Sequence, residues 1–287
     1  MGENSIQSNL SKEDIIAETK LMLGADFERK RTILIVEGND DVCFFTGRVG
    51  SNVTIQESHS GKIGVEEIVR SFSDSRVVGI RDADYDTATD CSRLFYYDYS
   101  CLEMMLIAND TAFSQFVYAY CQRVEPNVTR LKLLDNLKWI SLYRKLSCEN
   151  HWDINFSGIS IAEAYDHSKE VVDISKLLSQ IRKINPQKSD SIVSHVKSVT
   201  TCYRAACSLE TYLSITQGHD FLYLFQAFYD ALKGKKGQTI NVAGIFKSLL
   251  CSYGEICFSE TKLYQKLTAY QDMHRVIIVK SPNYYNS

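Results

Sequence analysis

Two short and almost entirely apolar runs limit what this chain can fold into. They are TILIVE at residues 32–37 and RVVGIR at 76–81, and both are rich in β-branched residues. Such runs are typical of strands that are covered on both faces, as in parallel sheets. Between them lie a helical segment at 40–45, a strand-like segment at 52–56 and an amphipathic helical pattern at 63–72. This alternation predicts a parallel βαβαβ unit with right-handed crossovers.

The pattern changes after this unit. Residues 94–99 favour one more strand, and the run IIVK at 277–280 could form a late strand. Helical periodicity dominates in between, and the predicted helices are 100–108, 112–123, 128–146, 161–184, 189–213, 219–232 and 242–253. We therefore expect an α/β fold with a parallel sheet flanked by helices, followed by a mainly helical region. The expected domains are 1–105, which starts with a helix, and 106–287.

Composition narrows the class of protein. An apolar fraction of 45% and a charged fraction of 23% are ordinary for a globular chain of 287 residues. The net charge of -3 disfavours a protein that coats DNA by bulk electrostatics. Contact with nucleic acid would have to come from local basic patches, a bound metal ion or a partner subunit. A metal-dependent nuclease remains compatible with this charge.

The cysteines and the N-terminal residues indicate a compartment. The chain has 9 cysteines, an odd number, and no CxxC pair, which suggests buried, reduced thiols. The first residues lack the apolar core of a signal peptide, and no stretch approaches the roughly 20 apolar residues that cross a bilayer. We expect a cytoplasmic protein that does not interact with membranes.

Acidic residues follow two of the predicted strands where each strand ends. Ligands of open parallel sheets bind at the carboxyl ends of the strands, so these positions are candidates for a site. Glu37 ends the first strand, and Gly38 after it would allow a tight turn. The other acids near these strand ends are Asp40, Asp41, Asp82, Asp84 and Asp86.

Carboxylates that lie close together repel one another, and this repulsion must be balanced by positive charge. Two of them at about 4 Å repel by roughly 4 kcal/mol at an effective dielectric constant near 20. Divalent cations usually supply the balance, and ligand sets made only of oxygen favour Mg²⁺ or Mn²⁺. One or two such ions can hold a phosphate, activate water and neutralise the leaving oxygen. The sequence thus predicts a metal site suited to phosphate chemistry.

The segment ILIVEGNDD at 33–41, followed by DAD at 82–84, resembles the TOPRIM domain of topoisomerases, bacterial primases and OLD-type nucleases. An acid four places after the glutamate, here Asp41, is nearer the OLD-like nucleases. Shorter matches are SGK at 60–62, YDYSCLE at 97–103 and GHDFL at 218–222. They resemble the DUF4435 group of TOPRIM proteins, which includes the nuclease effector of PARIS anti-phage systems. Met104 departs from that group, which usually has Asn there.

The resemblance implies a metal-dependent nuclease that acts as a toxic effector in antiviral defence. It further implies a nucleic-acid substrate, with RNA and in particular tRNA favoured over DNA, a companion ABC-type ATPase and an active homodimer. Carried over residue by residue, Glu37 would be a metal ligand or general base, and Asp82 and Asp84 would be metal ligands. Asp41 would be a further ligand, and Lys62 would contact phosphate or the transition state.

Other candidates are less specific. Asp40 and Asp86 could simply face solvent, and Asp41 could be no more than a favourable acid at a helix N-terminus. Glu103 and His219 belong to the short matches but are equally compatible with ordinary helix positions. Basic residues that could contact nucleic acid, or only be solvated, are Arg130, Lys132, Lys138, Arg144 and Lys145 on one predicted helix, and Lys235 and Lys236 in a loop.

Alternative functions stay open. The domain could be a module with weak or no catalysis that acts by docking to an ATPase. A primase or topoisomerase fragment is disfavoured because the chain has no zinc ribbon and no room for a polymerase or strand-passage domain. A glycosyltransferase that holds its metal with Asp-x-Asp would leave the Glu-Gly turn unexplained.

Overall fold

A computed structural model describes residues 11–86, 90–233 and 239–282. Within these residues the chain forms two compact units. The first unit comprises residues 11–83, 90–98 and 254–282. The second unit comprises residues 84–86, 99–233 and 239–253.

The first unit is built on a four-stranded sheet with the strand order β2-β1-β3-β4. The strands are β1 (Thr32–Val36), β2 (Val53–Glu57), β3 (Val77–Arg81) and β4 (Leu94–Tyr96). All neighbouring strands run parallel. Every residue of β1 and β3 is buried, which explains why the sequence has apolar runs there rather than alternation. The predicted parallel sheet is confirmed.

Helices cover this sheet. They are α1 (Lys12–Ala25), α2 (Asn39–Phe45) and α3 (Gly61–Arg70). A capping box between Ser11 and Asp14 starts α1. The apolar face of α3 packs into the core against β1 and β3. Gly79 of β3 permits this approach, because a β-carbon there would lie 2.7 Å from Val69 Cγ2 and 2.8 Å from Val65 Cγ1.

The second unit is mainly helical. Its helices are α4 (Leu102–Ala108), α5 (Asp110–Tyr120), α6 (Pro126–Glu149), α7 (Ile161–Ala164), α8 (Ile174–Ile184), α9 (Ser189–Tyr203), α10 (Leu209–Ile215), α11 (Gly218–Leu232) and α12 (Val242–Ser252). A small antiparallel hairpin, β5 (Tyr165–Asp166) with β6 (Val171–Val172), separates α7 from α8.

Two long helices predicted from the sequence are interrupted. The pattern over 161–184 is divided by the β5–β6 hairpin, after which Asp173 accepts hydrogen bonds from Ser175 N and Lys176 N and starts α8. The pattern over 189–213 ends at Tyr203, and Ser208 caps a new helix by accepting from Thr211 N. Side chains that cap helix N-termini restart the helices at these points.

The chain ends in the first unit, with α13 (Glu255–Ser259) and α14 (Lys262–His274). Phe258 packs edge-on against Phe44, with ring centroids 5.2 Å apart. The carboxylate of Asp98 accepts hydrogen bonds from Lys262 N and Leu263 N and so caps α14. The packing units therefore differ from the division at 105/106 expected from the sequence. Among the described residues, the run at 277–280 forms an isolated antiparallel bridge between Val49 and Val279 instead of the possible late strand.

The 9 cysteines differ in burial. The expectation of burial holds for Cys101 and Cys121 and is wrong for the exposed Cys43, Cys148, Cys202 and Cys251. In the parts of the chain that the structure describes, every helix is too short or too polar to cross a membrane.

Candidate active site

The residues after β1 and β3 meet at one edge of the sheet. Because these strands are parallel neighbours, their carboxyl ends lie side by side. Glu37 Oε1 accepts a hydrogen bond of 2.6 Å from Asp82 N. The structure thus brings together the two acids that the strand pattern placed at this edge. Gly38 is extended (φ -167°) with open space around its α-carbon, and the bend at residues 37 and 38 leads from β1 directly into α2.

Asp41 lies in the first turn of α2 and is buried. Its Oδ2 accepts from Gly38 N at 2.9 Å, and its Oδ1 accepts from the Tyr97 hydroxyl at 2.5 Å. The first bond stabilises the helix N-terminus, as the simpler interpretation of this acid expected. The second bond directs the same carboxylate towards the strand ends. Asp41 therefore combines a capping role with a position at the acidic cluster.

The side chain of Tyr97 interacts with three acids at this edge of the sheet. Its side chain is buried just beyond β4. Burial raises the pKa of Tyr97 well above its usual value, and the charges of Asp41, Asp82 and Glu37 raise it further. Three carboxylates thus act on one hydroxyl, which stays protonated and donates. Sequence reasoning missed Tyr97 as a site residue, although a hydroxyl-bearing aromatic near the end of the predicted strand 94–99 was a usable signal.

The loop before α3 also reaches this edge. Gly61 has a left-handed backbone (φ 56°), and a β-carbon there would lie 3.5 Å from Glu37 Oε2. The hydroxyl of Ser58 fixes the loop by donating to the Gly61 carbonyl oxygen at 2.7 Å. The backbone of α3 therefore begins against the Glu37 carboxylate. Lys62, which the sequence proposed as a phosphate contact, is the next residue of that first turn.

The chemistry of the cluster fits a hard divalent cation, because Glu37, Asp41 and Asp82 offer only oxygen. Across residues 11–86, 90–233 and 239–282, however, no group of three or more His, Cys, Asp and Glu side chains is arranged to hold a metal ion. One oxygen of Glu37 and both oxygens of Asp41 accept hydrogen bonds from the protein instead. Ion binding would require these carboxylates to exchange protein donors for metal.

The remaining predicted acids have different surroundings. Asp84 packs with the second unit, where its left-handed backbone (φ 45°) lets its N–H donate to the Ser100 carbonyl oxygen at 2.7 Å. Asp40 and Asp86 are exposed. Their exposure matches the simple interpretation of solvent-facing acids.

In the second unit, Glu103 and the Gly-His-Asp turn lie close together. Glu103 is buried, and a β-carbon at Gly218 would lie 2.2 Å from its Oε2, so only glycine fits there. His219 is exposed. Asp220 is buried, and its Oδ2 forms an ion pair with Arg144 Nη2 at 3.1 Å. Burial raises the pKa of Asp220, while the charge of Arg144 opposes that shift.

The basic residues that the sequence places on one predicted helix do not all face solvent. Arg144 is only 12% exposed, because it turns inward to Asp220. Arg130 and Lys138 are buried as well. Lys132 and Lys145 reach the surface, where Lys132 pairs with Glu170 and Lys145 pairs with Glu149. Lys235 and Lys236 lie outside the described residues.

The fold and the site together define an α/β protein whose parallel sheet gathers carboxylates at its C-terminal edge. The chain matches no model of a protein family, and no curated protein sequence matches it significantly.

Proposed function

We propose that this protein is a metal-dependent nuclease of the TOPRIM type, which hydrolyses phosphodiesters with Mg²⁺ or Mn²⁺. The observation that carries the proposal is the meeting of Glu37 and Asp82 at the ends of adjacent parallel strands. The shared effect of Glu37, Asp41 and Asp82 on Tyr97 supports it. Like charges gathered in this way repel, and a divalent cation relieves the repulsion.

Each residue has a role in this proposal. Glu37, Asp41 and Asp82 would hold the ion, and Asp84 joins them through the Asp-x-Asp pattern. When bound, the ion would polarise the phosphoryl oxygen and lower the pKa of a water molecule. The N–H of Asp82 orients Glu37, and the hydroxyl of Tyr97 orients Asp41. Lys62, in the first turn of α3, would contact the phosphate.

The biological setting of the proposal comes from the resemblance to DUF4435 proteins. On that basis the substrate is RNA, with tRNA favoured over DNA, and the protein is a toxic effector of antiviral defence in the cytoplasm. It would be held by an ABC-type ATPase and act as a homodimer after release. The net charge of -3 agrees with contacts to nucleic acid that are local rather than spread over the surface.

A second candidate is a TOPRIM module that docks to the ATPase and has little or no catalysis. The hydrogen bonds of Asp41 favour it, because both carboxylate oxygens already serve the fold. A structural carboxylate of this kind needs no metal. The two candidates differ in what happens when a divalent ion and a substrate are added.

The test is incubation of the purified protein with tRNA, other RNA and DNA, in Mg²⁺, Mn²⁺ or EDTA. The nuclease proposal expects cleavage that requires the ion and falls by at least about 100-fold in Glu37→Gln and in Asp82→Asn, since even groups behind a metal ligand contribute about 10–100-fold. Both substitutions keep side-chain shape. Glu67→Gln is the matched control, because this acid of α3 is 44% exposed and pairs with Lys12.

Two results would count against the nuclease. Cleavage that persists in both variants and in excess EDTA would mean that another site, or a contaminant, is responsible. No cleavage of any substrate, together with binding of a companion ABC-type ATPase, would support the docking module.

A further inference from the structure

The second unit contains a cavity of about 370 Å³ that the proposed metal site does not use. Its volume lies in the lower part of the range for small-molecule sites. Tyr85 and Phe156 contribute aromatic surface, and Arg144, Ser147 and Gln217 contribute polar groups. The cavity therefore combines flat apolar walls with a few hydrogen-bonding groups.

The aromatic walls are fixed by neighbouring contacts. The hydroxyl of Tyr85 donates to the Ile215 carbonyl oxygen at 3.1 Å, which sets the direction of its ring. Phe156 packs edge-on against Tyr143, with ring centroids 5.4 Å apart, and lies under the guanidinium of Arg144 at 5.5 Å. A ligand would thus meet aromatic surfaces that are already oriented.

Gln217 supplies a polar side chain to the wall. Gln217 is the residue before α11, but its side chain does not cap that helix. The amide of Gln217 can both donate and accept.

The charge of the wall disfavours a simple anion site. Arg144 is already paired with Asp220 at 3.1 Å. Asp153 also lines the cavity and adds negative charge. A neutral, planar group with donors and acceptors on its edge fits better than a phosphate. Nucleobases have this chemistry, because they stack on aromatic rings and are read along their edges.

We infer that this cavity binds one unstacked base of the nucleic-acid substrate between Tyr85 and Phe156, with the side-chain amide of Gln217 contacting its edge. Tyr85 directly follows Asp84 in the chain. The inference rests on the proposed nuclease function, and it names the part of the substrate that the second unit recognises. It assigns to this unit the choice of base, and to the acidic residues the cleavage.

The test uses the full chain in EDTA, so that binding is measured without cleavage. The probes are AMP, GMP, CMP and UMP, with ribose 5-phosphate and inorganic phosphate as controls, titrated by calorimetry. We expect at least one nucleotide to bind and the two controls to bind at least about tenfold more weakly. Phe156→Ala should weaken nucleotide binding about tenfold, as loss of one stacking surface does.

Further variants separate recognition from folding. Gln217→Ala should change the preference among the four nucleotides and leave thermal unfolding unchanged. Tyr223→Ala is the matched control, because this tyrosine of α11 is 47% exposed and lies outside the cavity lining. If Phe156→Ala does not fold, Phe156→Leu keeps the volume and removes the ring.

The outcomes are distinct. Inorganic phosphate that binds as tightly as the nucleotides would overturn the inference and indicate an anion site. The inference would also be overturned if no nucleotide binds, or if nucleotides bind equally well to the wild type and to the Phe156 variants. If the protein binds nucleotides in EDTA but does not cleave RNA, the base-binding inference stands and the nuclease proposal fails. If the protein cleaves RNA and the cavity variants bind and cleave like wild type, the nuclease proposal stands and the base-binding inference fails.

Discussion

The sheet edge of the first unit and the cavity wall of the second unit both hold ionised groups, but they balance charge differently. At the sheet edge, the donors that contact Glu37 and Asp41 include the neutral N–H of Asp82 and the neutral hydroxyl of Tyr97. At the cavity wall, the charge of Arg144 is neutralised by its ion pair with Asp220. An added cation stabilises an acidic cluster, whereas it does not stabilise an ion pair whose two charges already neutralise each other.

This difference predicts opposite changes in stability when one charge is removed. In the second unit, removing one charge of the pair leaves its partner buried without a counter-charge, which lowers the free energy of unfolding. At the sheet edge the loss relieves repulsion between like charges. Function is a reason for a protein to keep such repulsion, because stability and activity often trade against each other at active sites.

The largest effect is expected from Asp220→Ala. Removing one partner of a buried pair costs about 3–5 kcal/mol, because Arg144 would remain charged without its carboxylate. Urea denaturation followed by circular dichroism measures the change in the free energy of unfolding. The double variant Arg144→Met with Asp220→Leu is the control, and it should lose far less. A single variant within 1 kcal/mol of wild type would show that the pair is not closed as described.

Next in size is the response of the sheet edge to Mg²⁺ or Mn²⁺. An ion that binds only the folded state stabilises it by about 2.7 kcal/mol at a hundred times its dissociation constant. Thermal unfolding in the ion and in EDTA measures this, and Glu37→Gln should abolish the difference. In EDTA, Asp82→Asn should be at least as stable as wild type, the opposite of Asp220→Ala. A large loss of stability in Asp82→Asn would mean that its carboxylate serves the fold.

Tyr97→Phe should lower the free energy of unfolding by about 2 kcal/mol, because a hydrogen bond to a buried carboxylate is lost. We also expect RNA cleavage to fall by about 10–100-fold, as it does when the group that orients a metal ligand is removed. Tyr96→Phe is the control, since its hydroxyl interacts with Arg81 rather than with the acidic cluster. If both variants cleave equally well, Tyr97 has no positioning role.

The sheet was predictable because its signal is local. The apolar runs of β1 and β3 and the order of strands and helices were enough to place Glu37 and Asp82 at the same edge. Tyr97 was missed because its importance depends on Asp41, which is distant in sequence and contacts it only through the parallel topology. Periodicity identifies buried faces, but it does not identify the hydroxyl that reaches a carboxylate.

The helical unit was harder to predict because its charges are satisfied by tertiary contacts. Arg144 lies among other cations in the sequence, yet Asp220 turns it inward. Lys138 is likewise buried and donates to the Ala205 carbonyl oxygen at 2.6 Å. A sequence shows that cations share a helix, whereas only the packing shows which of them reach solvent.

The smallest effect is expected from the two surface cations of α6. Lys132 and Lys145 are paired with Glu170 and Glu149, and exposed pairs of this kind contribute about 0–1 kcal/mol. Lys132→Gln and Lys145→Gln should therefore unfold like wild type. Since each cation already has an acidic partner, RNA cleavage and its dependence on salt should also change by less than about twofold. A larger drop that grows at low salt would restore α6 as an RNA-binding surface and move substrate recognition away from the cavity.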